Sequence, residues 1–397
     1  MVSFRQAQEL LLSQARSFGI EESGLGEAFG RVLAAPVRAD RDYPPFPRAT
    51  MDGYALRFGE FERGRRRFRV TEVLFPGIRE KGPIASGECY KIMTGAAVPD
   101  DADMVIRRED VEEGETIEVN AAESGQWRPF LNIARRGEDL RSGDTVIDKP
   151  CRCSPGVIGL LATLGFSRVM LASLPRVALV TTGDEVVEPG RPVGPVQIRN
   201  SNRWMLEAAL RREGIVPAVS RHLADDPVEL KREIGAMLSA DMVILTGGVS
   251  AGDADHVPKV LTELGVRGLF HKIAMRPGKP TWCGVAPSGG IVFALPGNPF
   301  SCFVNFVMLI GPYLHACWGL EKEAPMSLPL RVARKKRVPL DEFFPVSIEG
   351  RPAMLTEMPL NSSGDIRLGL GANGLALHPA GCGGLEEGAE VEFYCLV

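Results

Sequence analysis

Apolar residues change their spacing several times along the chain, and each change predicts a different kind of element. Phe4, Ala7, Leu10 and Leu11 recur at helical spacing, so the chain opens on a helix that Gly19 can end. Residues 27–33 carry a second short helical pattern. The Tyr43-Pro-Pro-Phe-Pro47 run then breaks regular structure, because proline lacks an N–H and disfavours helix before it. From residue 54 to 135, short β-like runs alternate with Gly, Pro and Asp. They cover residues 68–74, 89–93, 104–107 and 116–119, the texture of a small β-rich domain. Helical spacing returns at 155–164, where Val157, Leu160, Leu161 and Leu164 share a face.

Between residues 175 and 320 the pattern changes again. Residues 177–180, 242–245 and 291–295 are continuous apolar runs, as expected of strands buried on both faces. Helical stretches at 203–212, 227–238 and 257–264 lie between them, and a long apolar helix from about 300 to 318 closes the unit. Such alternation predicts an α/β domain with a parallel sheet covered on both sides. Residues 324–397 have short strand-like runs, many glycines and no helical period, so they read as a small β-domain. The predicted fold class is α/β multidomain, with a β-rich domain inserted into a helical N-terminal one. The expected boundaries are 1–48 with 136–172 for the helical domain and 49–135 for the insertion. The α/β domain would span 173–322 and the C-terminal β-domain 323–397.

Composition narrows the function classes. A chain of 397 residues exceeds the size of one hydrophobic core, which agrees with several domains. The net charge of −4 argues against a general nucleic-acid binder. Two basic stretches, 63–69 and 331–337, stand against that balance and read first as solvated faces, with anion binding the alternative. Eight scattered cysteines show no C-x-x-C pair, and five histidines do not complete a zinc site, so free thiols in a reducing cytoplasm are expected. Arg5, Gln6, Gln8 and Glu9 interrupt the N-terminal apolar residues, excluding a signal-peptide core. The most apolar later run, 303–310, falls short of the roughly 20 residues that span a bilayer. A cytoplasmic protein is therefore expected, with neither membrane nor nucleic acid as partner.

Candidate chemistry gathers after the buried strands, where open α/β sheets bind ligands. Thr181-Thr-Gly-Asp-Glu185 follows the first strand. Thr246-Gly-Gly-Val-Ser-Ala-Gly-Asp-Ala-Asp255 follows the 242 strand, and Pro296-Gly-Asn-Pro299 the 291 strand. The Thr246 loop can offer backbone N–H groups to an anion, or serve only as a tight turn. Asp184, Glu185, Asp225, Asp226, Asp253 and Asp255 are expected on one edge, where they would raise one another's pKa unless a cation sat among them. Mg²⁺ suits such oxygen donors, while helix capping is the plainer role for any one aspartate, one that Asp225 before Pro227 could fill by itself. Met275-Arg-Pro-Gly-Lys-Pro280 holds Lys279 on a constrained turn, aimed at a phosphate or engaged in a surface ion pair. The set suits phosphoryl or nucleotidyl chemistry.

These motifs resemble those of the molybdopterin molybdenumtransferase (molybdenum insertase) family. Thr50-Met-Asp-Gly-Tyr-Ala55, Met93-Thr-Gly-Ala96, Arg136-Gly-Glu-Asp139, Thr182-Gly-Asp-Glu185, Gly247-Gly-Val-Ser250 through Asp255, Pro277-Gly-Lys-Pro280 and Leu295-Pro-Gly-Asn-Pro299 occur in family order over nearly the whole chain. The resemblance implies a doubly wound molybdopterin-binding third domain in a four-domain homodimer. It also implies a reaction joining molybdate to molybdopterin-AMP with release of AMP and help from a divalent cation. The upstream adenylyltransferase and downstream molybdoenzymes are implied partners. Asp52, Thr94, Glu185, Asp225, Asp255 and Lys279 match catalytic positions, with Thr94 a possible donor to an oxyanion. Glu185, Asp225, Asp253, Asp255 and Asp139 match acidic positions for the metal. Thr182, Gly183, Asp184, Gly247, Gly248, Ser250, Gly252, Arg276, Pro296, Gly297 and Asn298 would line the substrate cleft.

The chain departs from the family pattern at Ala49, where the serine before Met-Asp-Gly-Tyr-Ala is usual, and at Leu340 and Pro345 around Asp341-Glu-Phe343. A turn resembling Gly-Ser-Gly survives only as Ser362-Ser-Gly364. These changes motivate a second reading, a non-catalytic carrier of molybdopterin or its molybdenum cofactor with a degenerate site.

Overall fold

The computed structural model describes residues 1–78, 82–120, 127–249, 256–336 and 338–396. They form two compact units. One comprises 1–34, 150–158 and 168–397, the other 35–149 and 159–167.

The first unit contains the α/β sheet. Its strands lie in the order Val219–Leu223, Val177–Thr182, Met242–Thr246, Ile291–Leu295, Trp282–Val285 and Arg267–His271. The first four are parallel. Alternate residues of one strand enter different cores. Val177, Leu179, Met242, Ile244 and Phe293 pack with Leu206, Leu210 and Phe300 on one face. Ala178, Val180, Val243, Leu245 and Val292 pack with Leu230, Ile234 and Val260 on the other. This is why these strands read as unbroken apolar runs: both faces are covered, so neither parity of side chain meets water. The last two strands are antiparallel, which adds to the expected parallel sheet. Only residues 286–290 separate Val285 from Ile291, too few for the crossover that a parallel neighbour needs.

The helices fall where their caps put them. Ser201–Arg212 starts at Asn200, whose side chain accepts from the Arg203 N–H, and Pro227–Met237 starts at Asp226 in the same way. The closing helix runs from Pro299 to Cys317, with a π-helical turn at Phe306–Ile310. Its 19 residues agree with the helix expected at about 300–318, and it is long and apolar enough to cross a membrane, but 72% of its most apolar stretch is buried in the protein core.

The opening helix is Phe4–Leu12, closed at Ser13, with Leu10 outside the buried face. No α-helix forms over residues 27–33. A short 3-10 turn at Leu25–Glu27 leads to the strand Val32–Leu33, because Gly30 takes a left-handed φ of 75° that no helix accommodates. That strand joins Ile20–Gly24, Arg168–Ala172 and Cys151–Arg152 in a four-stranded sheet. The C-terminal sheet runs Met275–Arg276, Asp341–Glu349, Gly374–His378, Glu390–Cys395 and Met326–Pro329, so it takes its edge strand from the lysine-bearing turn of the α/β domain.

The second unit centres on a six-stranded sheet in the order Met104–Arg107, Gly53–Leu56, Glu88–Ile92, Arg67–Leu74, Thr116–Val119 and Val111–Glu112. Here too neighbouring residues serve opposite cores, Tyr54 and Leu56 on one side, Ala55 and Ile92 on the other. The basic stretch 63–69 is a solvated face, its arginines paired as Arg65–Glu60, Arg67–Glu118 and Arg69–Glu88.

Candidate active site

The sheet order reverses beside Val177–Thr182, whose neighbours in the sheet are Val219–Leu223 and Met242–Thr246. Such a switch point opens a crevice outside the carboxyl ends of the strands. Thr182 is buried at the strand end, and Gly183 turns the chain at φ 132°. Asp184 and Glu185 are exposed beyond it. Asp184 Oδ1 accepts a hydrogen bond from the Asp225 N–H at 3.1 Å, tying two of the predicted carboxylate loops together. Burial lifts the Asp225 carboxyl above the usual range; the Thr182 hydroxyl beside it pulls the other way, and Asp184 and Glu185 push it further up. Asp226 is the helix cap and stands apart in role.

Gly247 approaches the same place from the next strand. With φ 101° and a Cβ position 2.6 Å from Thr182 Oγ1, it admits no side chain. Gly248 follows, also at positive φ. The Gly247 N–H donates to Leu295 O at 3.1 Å, and the rest of the loop, with Ser250, Gly252, Asp253 and Asp255, lies outside the described residues. Among the described residues no three acidic, histidine or cysteine side chains converge closely enough to hold a metal by themselves. Pro296, Gly297 and Asn298 complete the edge, with Gly297 packed on Gly247.

The lysine turn is braced from two sides. Gly278 has φ 100°, and a Cβ there would strike Asn305 Nδ2 and the Met275 methyl. Thr281, fully buried, directs its hydroxyl at Gly278 O (2.7 Å) and Asn305 Oδ1 (2.9 Å). Asn305 in turn donates to Ser301 O. Lys279 is exposed at the apex. Arg276, expected to meet substrate, is half exposed and lies 3.6 Å from Glu342, which also binds Arg334 at 3.3 Å. The second basic stretch is thus an internal ion-pair network, Arg334 reaching Glu357 and His378 as well. The Ser362-Ser-Gly364 turn reaches the other loop, where Asn298 Nδ2 donates to Ser363 Oγ at 2.8 Å.

Asp52, Thr94 and Asp139 belong to the second unit. Asp52 Oδ1 accepts from both the Thr94 N–H and the Thr94 hydroxyl, each at 2.7 Å. The backbone bond first, then the hydroxyl, hold its carboxyl below the usual range. Thr94 therefore gives its hydroxyl proton to Asp52 rather than leaving it for an oxyanion. Gly53 is required next to it, since its Cβ would fall on the Ile106 carbonyl. Asp139 is exposed, its N–H donating to Tyr43 O at 2.9 Å.

Sequence reasoning missed Asn202, Thr281, Asn305 and Glu342. Asn202, one residue inside its helix, looks like an ordinary capping neighbour, while Thr281, Asn305 and Glu342 act through one another or through residues brought near only by folding.

Polar and glycine-rich loops collected at the ends of a doubly wound sheet define an α/β protein that handles a phosphorylated cofactor or nucleotide. Residues 2–165 match the MoeA N-terminal region (domain I and II), 178–316 the probable molybdopterin binding domain, and 327–396 the MoeA C-terminal region (domain IV). A molybdopterin molybdenumtransferase of Bacillus subtilis is 31% identical over 393 residues, covering 93% of this chain and 88% of its own. One of Synechocystis is 29% identical over 99% of this chain and all of its own. A crystal structure of a molybdopterin biosynthesis moeA protein from Pyrococcus horikoshii superposes with a TM-score of 0.84 at 27% identity, each chain fully covered. The chain belongs to the molybdopterin molybdenumtransferase family.

Proposed function

We propose that this protein inserts molybdate into adenylylated molybdopterin, releasing AMP and giving the molybdenum cofactor. The observation that carries the proposal is the single edge formed by Thr182–Glu185, Asp225, Gly247–Gly248 and Pro296–Asn298, tied by the Asp225–Asp184 bond and by glycine contacts too close for side chains. Backbone N–H groups of the glycine loops would donate to the phosphate, apart from that of Gly247, which donates to Leu295 O at 3.1 Å, and Thr182, Gly183 and Asp184 would border it. Ser250 and Gly252 belong to the same proposed lining by their place in the motif.

Lys279, on its braced turn, would meet the charge that develops as the phosphoanhydride breaks. Arg276, held near Glu342, would set the direction of that turn. Asp52, kept ionised by Thr94, serves the insertion step in this reading. Glu185 and Asp225 are oxygen donors of the kind Mg²⁺ takes, and burial, with the like charges of Asp184 and Glu185, raises the Asp225 carboxyl; Asp253, Asp255 and Asp139 are proposed as further ligands from their motifs alone. When bound, Mg²⁺ would neutralise phosphate charge. We further propose a homodimer acting in the cytoplasm, between a molybdopterin adenylyltransferase and the molybdoenzymes that take the product. Cys89, Cys283, Cys302 and Cys317 are buried thiols, which suits a reducing compartment.

The test is AMP release from molybdopterin-AMP with Mg²⁺ and molybdate, and with tungstate in parallel. Oxyanion-dependent AMP release with metal-loaded pterin as co-product is expected. Tight substrate binding without AMP release would favour the carrier and refute insertion.

A further inference from the structure

Asn202 sits in the first turn of the Ser201–Arg212 helix, and its Nδ2 reaches across the switch point to two loops at once. It donates to Thr246 Oγ1 at 2.9 Å and to the Gly297 carbonyl at 2.7 Å. The amide orientation is fixed, because a carbonyl only accepts. Thr246 Oγ1 and the Cys302 thiol both point at the preceding carbonyl, that of Pro296. Two consecutive carbonyls are therefore drawn into the protein. In a trans peptide the N–H points opposite to the C=O. Turning in the carbonyls of Pro296 and Gly297 must then turn out the N–H groups of Gly297 and Asn298. Both residues are exposed, and neither N–H finds a protein acceptor among the described residues. The exposed Gly297–Asn298 bend thus offers two adjacent N–H donors to an oxyanion.

The latch has a cost that folding alone does not explain. Asn202 Oδ1 is buried without a partner, and an orphaned buried acceptor is destabilising. A leucine or methionine there would avoid it but leave the Gly297 carbonyl free to rotate.

We propose that Asn202 is a positioning residue for the insertion reaction. By holding the Pro296 and Gly297 carbonyls inward through Thr246 and its own amide, it presents the Gly297 and Asn298 N–H groups to an anionic substrate. The inference rests on the reaction proposed above.

Asn202→Asp keeps the size of the side chain but sets an oxygen against the Gly297 carbonyl. Thr246→Val removes the hydroxyl that Asn202 grips, without changing Asn202. The KM for molybdate and for molybdopterin-AMP, and kcat, are read from AMP release, with thermal unfolding alongside. For Asn202→Asp, the KM of at least one substrate should rise about tenfold or more, while kcat stays within about threefold. Thr246→Val should raise the same KM by a smaller factor. If both KM values of both variants stay within about threefold of the parent, the proposal fails whatever happens to kcat, since lost folded protein lowers kcat without moving KM. Should Asn202→Asp not fold, Thr246→Val decides by the same criterion. If the parent protein itself releases no AMP, the reaction assignment fails. Calorimetric titration of parent and variants with AMP and with molybdate then tests the latch separately, equal affinities refuting it.

Discussion

Replacing Thr281 by valine probes how the lysine turn is held. Thr281 and Asn305 are both fully buried, and the threonine hydroxyl lies between Gly278 O and Asn305 Oδ1. Valine has nearly the same shape, so the change removes the hydroxyl and little packing. Gly278 O keeps a partner, the Thr281 N–H at 3.1 Å. Asn305 Oδ1 is left alone, and an unpaired buried acceptor costs about 1–3 kcal/mol. At about 2 °C per kcal/mol for a unit of this size, the melting temperature should fall by about 2–6 °C. Asn305 also borders the space beneath Gly278, so its loosening should let the turn move and raise the KM for the substrate that Lys279 meets. Differential scanning calorimetry and the AMP-release assay measure both effects. Thr281→Ser, which keeps the hydroxyl, should hold its KM and lose only the stability of one methyl, about 1 kcal/mol. The reasoning is refuted if valine changes the melting temperature by less than about 1 °C, or if serine raises KM as far as valine does.

Thr94→Val deletes the hydroxyl donor to Asp52, so the acid limb of the activity profile should move to higher pH as the carboxyl returns toward its usual range; an unmoved limb would separate Asp52 from the rate. Asp225 has a raised folded pKa, so it favours folding below its unfolded value and opposes it as pH rises through the folded one. Asp225→Asn should therefore keep or improve the neutral-pH melting temperature while weakening the Mg²⁺ dependence of AMP release, checked by metal titration. Burial raises the Glu213 carboxyl, but the His315 hydrogen bond and then Arg152 prevail and leave it lowered. A lowered carboxyl stabilises above its unfolded pKa and loses that contribution as pH falls through the folded one. Glu213→Gln should cost about 1–3 kcal/mol at neutral pH and flatten the acid limb of stability below about pH 4.5, measured by urea unfolding across pH. Gly278→Ala should destabilise, since φ 100° and the Asn305 contact oppose any side chain; an unchanged melting temperature would count against the described turn.

The sequence by itself determined the elements whose cause is local. Continuous apolar runs marked the strands Val177–Thr182, Met242–Thr246 and Ile291–Leu295, because a strand covered on both faces exposes neither parity of side chain. Pro227 marked a helix start, since a residue without an N–H suits the unpaired donors there, but the cap expected of Asp225 falls on Asp226. The motifs that mark the site were legible because glycines and carboxylates after strands have few other uses in that order. Tertiary structure decided what depends on partners distant in the chain. Residues 27–33 have helical spacing, but Val32 and Leu33 gain strand partners at Cys151–Arg152 and Leu171. The Arg276 ion pair has no local sign, because only the pairing of Met275–Arg276 with Asp341–Glu349 places Glu342 beside it. Thr94 looked like a free donor until a turn brought it onto Asp52, 42 residues away. Asn202 carries no local signal at all, because the two groups it holds arrive from strands 44 and 95 residues further on. Spacing along a chain reports which face is buried, whereas a hydrogen-bond partner is fixed only when distant segments pack and every buried polar group must find its match.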